Sequence, residues 1–452
     1  MHPERSAHAQ RCARLEAALR SAGGAAGAAP LGLVKHTSNL FRDRSEAARR
    51  RLDLTEFSRV IEVDAGAGWV DAEGLVTYEN LLDATLAHGV MPAVVPQLKT
   101  ITLGGAAAGV GIEATSFRHG LVHHTLREIE VLLPGGEVLQ CTPDNAQRDL
   151  FLAFPNSYGT LGYALRLKAE VIPVKHFVRV EHERHTSAAA FFDALSAACA
   201  GSGDFIDGVV FGPHELVLNS GRFVDDAPYA SDYGYRQIYY RSLREREVDY
   251  LSTRDYLWRW DTDWFWCSKN LGAQHPLVRR LLGRGRLNSR TYQRLMRLNA
   301  RLGLTRRLDR WRGLHPESVI QDVDIPIGEA ESFLDFLLRE IGIQPVWICP
   351  VRVPGNGLPF TLFPMRRDTL YVNFGFWDVV RTREPHEPGH FNRLVERQEI
   401  ALGGIKSLYS ESYFTRDEFD TAYAMQAYEA VKRKYDPGRR ALGLYEKCVM
   451  RG

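Results

Sequence analysis

An α+β chain built as two units is what the sequence predicts, and three observations carry that expectation. Short runs with a period of two, typical of half-buried strands, alternate with runs of helical period. Glycine and proline turns punctuate roughly the first 173 residues into many short segments. After Pro173 strands and helices alternate, which points to a second sheet with helices on one face. The predicted units are residues 1–174, residues 175–404 with a basic helical insertion at 254–315, and a returning C-terminal segment at 405–452.

Taken in order, Ala7–Ala22 reads as a short Ala/Arg helix and Gly23–Pro30 as a flexible lead-in. Val60–Val63 and Gly68–Val70 have the pattern of short strands. Thr77–His88 reads as a helix, with Thr77 as N-cap and Gly89 just past its end. Glu128–Leu133, the turn Pro134-Gly135-Gly136 and Glu137–Thr142 form a hairpin. Leu165, Leu167, Ala169 and Val171 alternate with polar residues, which marks another strand. In the second unit Ser187–Ala200 is an apolar helix and Asp207–Val224 a hairpin. Val319–Pro326, Val346–Val351 and Leu370–Phe376 are strands, and Ala330–Ile341 and Phe391–Leu402 are helices. Ser407–Tyr413 reads as a strand and Asp417–Tyr435 as a helix.

Composition excludes several classes. The 452 residues are 45% hydrophobic and 25% charged, as in an ordinary globular protein. Lys plus Arg is 57 against 55 for Asp plus Glu, a net +2 that argues against a dedicated nucleic-acid binder. No run of about 18 apolar residues could span a bilayer. Six cysteines are scattered without a CxxC, so neither a disulfide framework nor a zinc site is expected. The first residues lack the apolar core of a signal peptide, so a cytoplasmic location is expected.

Gly104, Gly105, Gly109 and Gly111 fall within eight residues, just after Thr100 and Thr102. Glycines so spaced let the backbone approach a ligand and aim N–H groups at it. No Gly-Lys-Ser/Thr follows, so this is not a Walker A loop. Nor does Gly109–Ala114 (GVGIEA) fit the Rossmann fingerprint. Locally, two readings stay open: a cradle for a phosphate, or a tight turn with no ligand.

The wider order is more informative. PQLKTITLGG is followed by GIE, RHG, EIEVLL, PGG, EVLQC and then SYGTLG. This order resembles the FAD-binding domain of the vanillyl-alcohol-oxidase/p-cresol-methylhydroxylase (PCMH-type) superfamily. TLGGAAAGVGIEATSFRHGLVHH, VIQDVDIPIG, QPVWICPV and LYSESYFTRDEFDTAYAM bring the likeness closest to the 24-dehydrocholesterol reductase (Diminuto-like) family, over roughly residues 60–450.

That resemblance implies FAD and a cap sheet covering it; without a convincing linkage motif in the sequence, the FAD is expected to be non-covalent. It assigns Thr102, Gly104, Gly105, Gly109, Gly111, Ile112, Glu113 and His124 to the first FAD loop, and Gly159, Thr160 and Gly162 to the second. Lys35, Thr37, Ser38 and Asn39 fall where the superfamily places its pyrophosphate loop, and His36 there is the position at which a covalent link would form. The implied activity is reduction of an isolated C=C in a lipid, a methylene-fatty-acyl phospholipid or a sterol side chain, with NADPH as electron donor. The expected proton donors are Tyr409, Glu411, Asp322 and His119. Gln321, Asp324, Tyr371, Asn373 and Tyr413 are expected to face substrate, and strand alternation would put Tyr409, Glu411 and Tyr413 on one face. No metal is expected.

Arg279–Arg312 holds twelve Arg against one acid, Asp309, with Leu, Met and Trp interleaved. Trp258, Trp260, Trp264, Phe265 and Trp266 precede it. A basic amphipathic stretch with aromatic neighbours reads as a surface for anionic membranes, here the inner face of the cell membrane. A solvated face packed on the second unit is the plainer reading. A methylene-forming methyltransferase would be the pathway partner. An alcohol oxidase or dehydrogenase and a non-catalytic flavin-binding scaffold are the competing functions.

Overall fold

The computed structural model describes residues 3–21, 31–34, 41, 50–302, 304–355 and 357–451. Lys35, His36, Thr37, Ser38 and Asn39 lie outside the described residues. Two antiparallel sheets dominate, with helices around them, as the α+β expectation requires.

The first sheet runs in the order Val60–Asp64, Trp69–Glu73, Tyr163–Pro173, Leu126–Leu132, Val138–Cys141, and Val90–Pro92 pairs with the far end of Tyr163–Pro173. Helix Tyr78–Leu86 starts where Thr77 accepts a hydrogen bond from the Asn80 N–H and stops before Gly89, whose φ is +72°. Its Leu81 and Leu82 bury against the sheet.

Helix Pro3–Ser21 docks on this sheet largely through charges. Both ring nitrogens of His8 reach carboxylates, Nδ1 to Glu73 and Nε2 to Glu130, each at 2.8 Å. Arg11 pairs with Glu73 at 2.5 Å and Arg5 with Asp71 at 2.7 Å. Burial opposes a charge on His8, but hydrogen bonds with Cys12, Glu130 and Glu73 overcome it and raise the pKa from 6.5 to about 11. A raised histidine stabilises fully below its unfolded value and loses that contribution as pH climbs toward the folded value. Glu73 and Glu130 are lowered from 4.5 and act in the opposite sense, losing their contribution as pH falls. Docking is therefore strongest between 4.5 and 6.5. The melting-temperature gap between the protein and its His8→Gln variant should shrink as pH rises above 6.5. A gap independent of pH would show that His8 is not charged in the fold.

The second sheet has eight strands: Val248–Ser252, Phe177–His185, Glu215–Val224, Phe205–Gly212, Val346–Arg352, Leu370–Thr382, His315–Pro326 and Ile405–Lys406. Alternation gives it two different faces. Val323, Ile325, Val372, Phe374 and Phe376 pack against helices Ala188–Ala200, Ala330–Phe336 and His390–Ala401 through Phe191, Leu195, Phe333, Leu334 and Val395. Asp322, Asp324, Asn373 and Trp377 point the other way, toward the first sheet.

Three expectations are corrected. Residues 407–413 form no strand, because the Glu411 carbonyl accepts from the Lys406 and Gln321 side chains instead of a neighbouring strand. The predicted helix 417–435 is two helices, Arg416–Ala422 and Met425–Tyr435, broken at Ala424 with φ +46°. Trp258, Trp260, Trp264, Phe265 and Trp266 are buried in the core and are no part of a surface.

Candidate functional site

A cavity of about 430 Å3 lies between the glycine loops of the first unit and the bare face of the second sheet. Thr102, whose Oγ1 accepts from the Gly105 N–H at 3.2 Å, begins the short helix Leu103–Ala108. Gly104 packs backbone to backbone on Gly74: its N–H donates to the Gly74 carbonyl at 2.8 Å, and a Cβ on it would sit 2.8 Å from that oxygen. Gly159 has φ +78° and Gly162 φ +133°, and a Cβ on the latter would collide with the Leu132 carbonyl. Thr102, Gly104, Gly105, Gly109, Gly111, Ile112, Gly159 and Gly162 all line the cavity.

Glu113 and Thr160 do not. The Glu113 side chain turns away to Arg259 at 2.9 Å, and Thr160 donates to the Ser157 carbonyl. The Thr160 carbonyl is held by Lys432 Nζ at 2.6 Å, and the Tyr158 carbonyl by Lys447 Nζ at 2.5 Å, so two lysines from the end of the chain brace this loop. His124 spends Nδ1 on the Leu121 N–H and stacks on His123 with centroids 4.2 Å apart, and His119 sits outside the cavity. Burial lowers the pKa of His119, and brings that of His124 to about 4. Neither histidine is placed to hand a proton into the cavity.

The cap side supplies different chemistry. Trp377 Nε1 donates to the Tyr409 hydroxyl at 2.8 Å, and Tyr409 in turn hydrogen-bonds the Asp322 carboxyl. The Asp322 Oδ1 atom is buried with no hydrogen-bond partner among the described residues. Burial pushes Asp322 well above the usual carboxylate range, against the opposing effect of the Tyr409 hydrogen bond. Asp324, two residues along, is pushed up by burial to about 7 although Asn373 Nδ2 donates to it at 3.1 Å. Burial therefore favours the protonated form of both carboxyls. Gly375, the cross-strand partner of Asp322, leaves room for this arrangement: a Cβ there would be 2.7 Å from the Trp377 ring and 2.8 Å from Asp322 Oδ1.

Four other expected residues are elsewhere. Gln321 is on the opposite face of its strand, bonded to Asn392 and Ser410. Tyr371 shares a face with Asn373 but accepts from the Arg366 N–H outside the cavity. Tyr413 donates to Glu411 at 2.7 Å and both sit beside Arg451, away from the cavity. Residues the sequence did not single out complete the walls: Gly74, Gln97, Tyr158, Trp347 and Trp377, together with Trp264 and Phe265 at φ +45° and +58°.

The residues present fit FAD. The loops leave backbone open to the cavity at Gly105, and Gln97 Nε2 and Asn373 Oδ1 are buried polar atoms of opposite character without partners among the described residues. A flavin's ring edge carries the matching acceptors and donors. Gly105→Val places a branched side chain in that space at little cost to the backbone, since glycine is itself a poor helix residue. The variant should lose its FAD absorbance while its circular dichroism stays near that of the parent. Full FAD occupancy would show that the loop holds something else.

Comparison with known proteins agrees with this reading. A family model described as an FAD binding domain matches residues 30–142. The Delta(24)-sterol reductase of Homo sapiens is 26% identical over 397 residues, 83% of this chain and 73% of the relative. That of Arabidopsis thaliana is 25% identical, covering 89% and 76%. The decaprenylphosphoryl-beta-D-ribose oxidase of Mycolicibacterium smegmatis is 31% identical over 131 residues, 27% of each chain. Among the described residues no helix is long and apolar enough to cross a membrane. With its glycine loops, its cap sheet and these relatives, the chain carries a PCMH-type FAD-binding domain and is similar over most of its length to the Delta(24)-sterol reductases.

Proposed function

We propose that this protein reduces an isolated C=C bond of a lipid, with NADPH as the electron source. The observation that carries this is the buried Asp322 carboxyl, held by Tyr409 in the wall of an aromatic cavity opposite the FAD loops, where burial favours its protonated form. An isolated double bond has no polar handle, so reduction needs a hydride at one carbon and an acid at the other. Bound FAD supplies the hydride chemistry. Asp322 supplies the proton, and Tyr409 fixes the orientation of its carboxyl and takes up charge as the proton leaves. Asp324, close enough to interact electrostatically with Asp322 and held by Asn373, is the acid available to reprotonate it. Trp264, Phe265, Trp347 and Trp377 exclude water and accept an apolar chain.

A methylene-fatty-acyl phospholipid, supplied by a methyltransferase, and a sterol side chain both meet these demands. The protein works at the surface of an anionic membrane, on its cytoplasmic face. In support, Leu277, Leu281, Leu295, Met296, Leu298 and Trp311 are all exposed along the arginine-rich segment. Not every arginine there serves: Arg279 is buried on Asp263, and Arg290 pairs with Glu79.

Anaerobic protein reduced with NADPH should be reoxidised by dispersed methylene-acyl phospholipid or by a sterol with a side-chain double bond, and mass spectrometry should find the saturated product. Flavin reduction by an alcohol, with no saturated lipid from either substrate, would favour the oxidase reading instead.

A further inference from the structure

A second cavity, of about 660 Å3, lies beside helix Pro276–Leu282 and away from the FAD loops. Its charged lining is Arg236, Arg241, Arg246, Arg279, Arg280 and Glu245. Arg246 is paired with Asp249 at 2.9 Å and Arg279 with Asp263 at 2.5 Å. Arg241 is bonded at 2.7 Å to the neutral Gln274 amide oxygen. Arg236 and Arg280 are exposed and make no ion pair among the described residues. Five arginines less Asp249, Asp263 and Glu245 leave a local charge of +2.

The helix beside the cavity also carries an exposed apolar pair. Leu277 and Leu281, one helical turn apart, are 65% and 82% exposed on the same helix that contributes Arg279 and Arg280 to the cavity. Guanidinium groups match phosphate oxygens in pairs. Free phosphate or a nucleotide would account for the arginines but would leave the two leucines in water. A phospholipid in a bilayer accounts for both, with phosphate among the arginines and hydrocarbon over the leucines. The cavity is also tied to the reaction site. Arg279 holds Asp263, and the next two residues, Trp264 and Phe265, line the FAD cavity.

We propose that this cavity binds the phosphate of an anionic phospholipid while Leu277 and Leu281 enter the bilayer, seating the reaction cavity at the membrane. The inference rests on the lipid reading above but is tested apart from it. Flotation with phosphatidylcholine vesicles, with and without phosphatidylglycerol, reads binding without turnover. Arg236→Ala with Arg280→Ala should weaken binding to the phosphatidylglycerol vesicles by about 30-fold, each basic residue being worth about 5-fold at an anionic surface. Leu281→Ser should weaken binding to both kinds of vesicle. Arg366→Ala with Arg367→Ala, which removes the same charge from another exposed site, should change little. Turnover on dispersed lipid and FAD content should be unaffected in all three. Unchanged flotation of the Arg236/Arg280 variant, or an equal loss in the Arg366/Arg367 control, would overturn the site. A raised NADPH requirement with normal flotation would instead assign the arginines to the nucleotide's phosphate. Failure of every dispersed lipid to turn over would sink the reductase reading while leaving the flotation result standing.

Discussion

Asp322→Asn is expected to lower turnover by about 100- to 10,000-fold, the range a positioned proton donor contributes, while FAD stays bound. Asparagine keeps the size of the side chain and can still meet Tyr409, so the cavity walls remain. What disappears is the proton. On the proposed reaction FAD reduction by NADPH does not need it, so that half-reaction should proceed near the parent rate, and only reoxidation by lipid should slow. Tyr409→Phe should cost less, since it removes the group that orients Asp322 without removing the proton. The pH profile separates the two aspartates. Asp324, at about 7, must be protonated to resupply Asp322, so the rate should fall as pH rises past 7. In Asp324→Asn that limb should vanish. A parent-like rate of lipid reduction in Asp322→Asn would move the search for the acid to Tyr409 itself.

The largest effect on stability is expected at Arg259. Its guanidinium is fully buried, 2.9 Å from Glu113 of the FAD loop and 2.8 Å from Asp207 of the cap sheet. Trp347 Nε1 and Asn219 Nδ2 also bond Asp207, at 3.3 and 2.8 Å. Burial raises Glu113 to about 7 even with Arg259 beside it. Arg259→Leu leaves two carboxylates buried without a counter-charge, and breaking a buried pair in this way costs about 3–5 kcal/mol. Thermal unfolding should shift down by several degrees, more at pH 8 than at pH 6, where Glu113 can take a proton. Adding Glu113→Gln and Asp207→Asn to Arg259→Leu should recover much of the loss. An unchanged melting temperature for Arg259→Leu would mean that the triad does not hold the two units together.

The same triad shows why part of the site was not legible in the sequence. Where local rules decide, the reading held: Thr77 and Ser187 cap their helices, and the hairpin around Pro134–Gly136 forms. The glycines of both loops line the cavity because backbone closeness is a property of the residue itself. Glu113 sits in the same loop, yet its direction is set by Arg259, 146 residues away, which no local pattern reports. Trp264 and Phe265 looked like surface aromatics because a left-handed turn made of two large apolar residues has no sequence signature. Gly74 is a lone glycine between ordinary residues, and only its contact with Gly104 and Ala164 explains it. Tyr409, Glu411 and Tyr413 alternate as a strand does, but this segment is held by side chains and by a bridge between Phe41 and Ser410. Of the three, only Tyr409 reaches the cavity.

The bracing of the loop at 158–160 by Lys432 and Lys447 bears on how the protein is made. Thr160 and Lys432 are 272 residues apart. At about 5–20 residues per second, a ribosome needs roughly 15–55 s to cover that distance. From Pro173 onward every strand of the first sheet has been made, yet two carbonyls of its nucleotide loop wait for cations still to be synthesised. Ser407 and Tyr409, which close the cavity wall, arrive just as late. A nascent chain therefore gains its colour only once these residues are made, and a message truncated before codon 407 should yield a folded but colourless first domain.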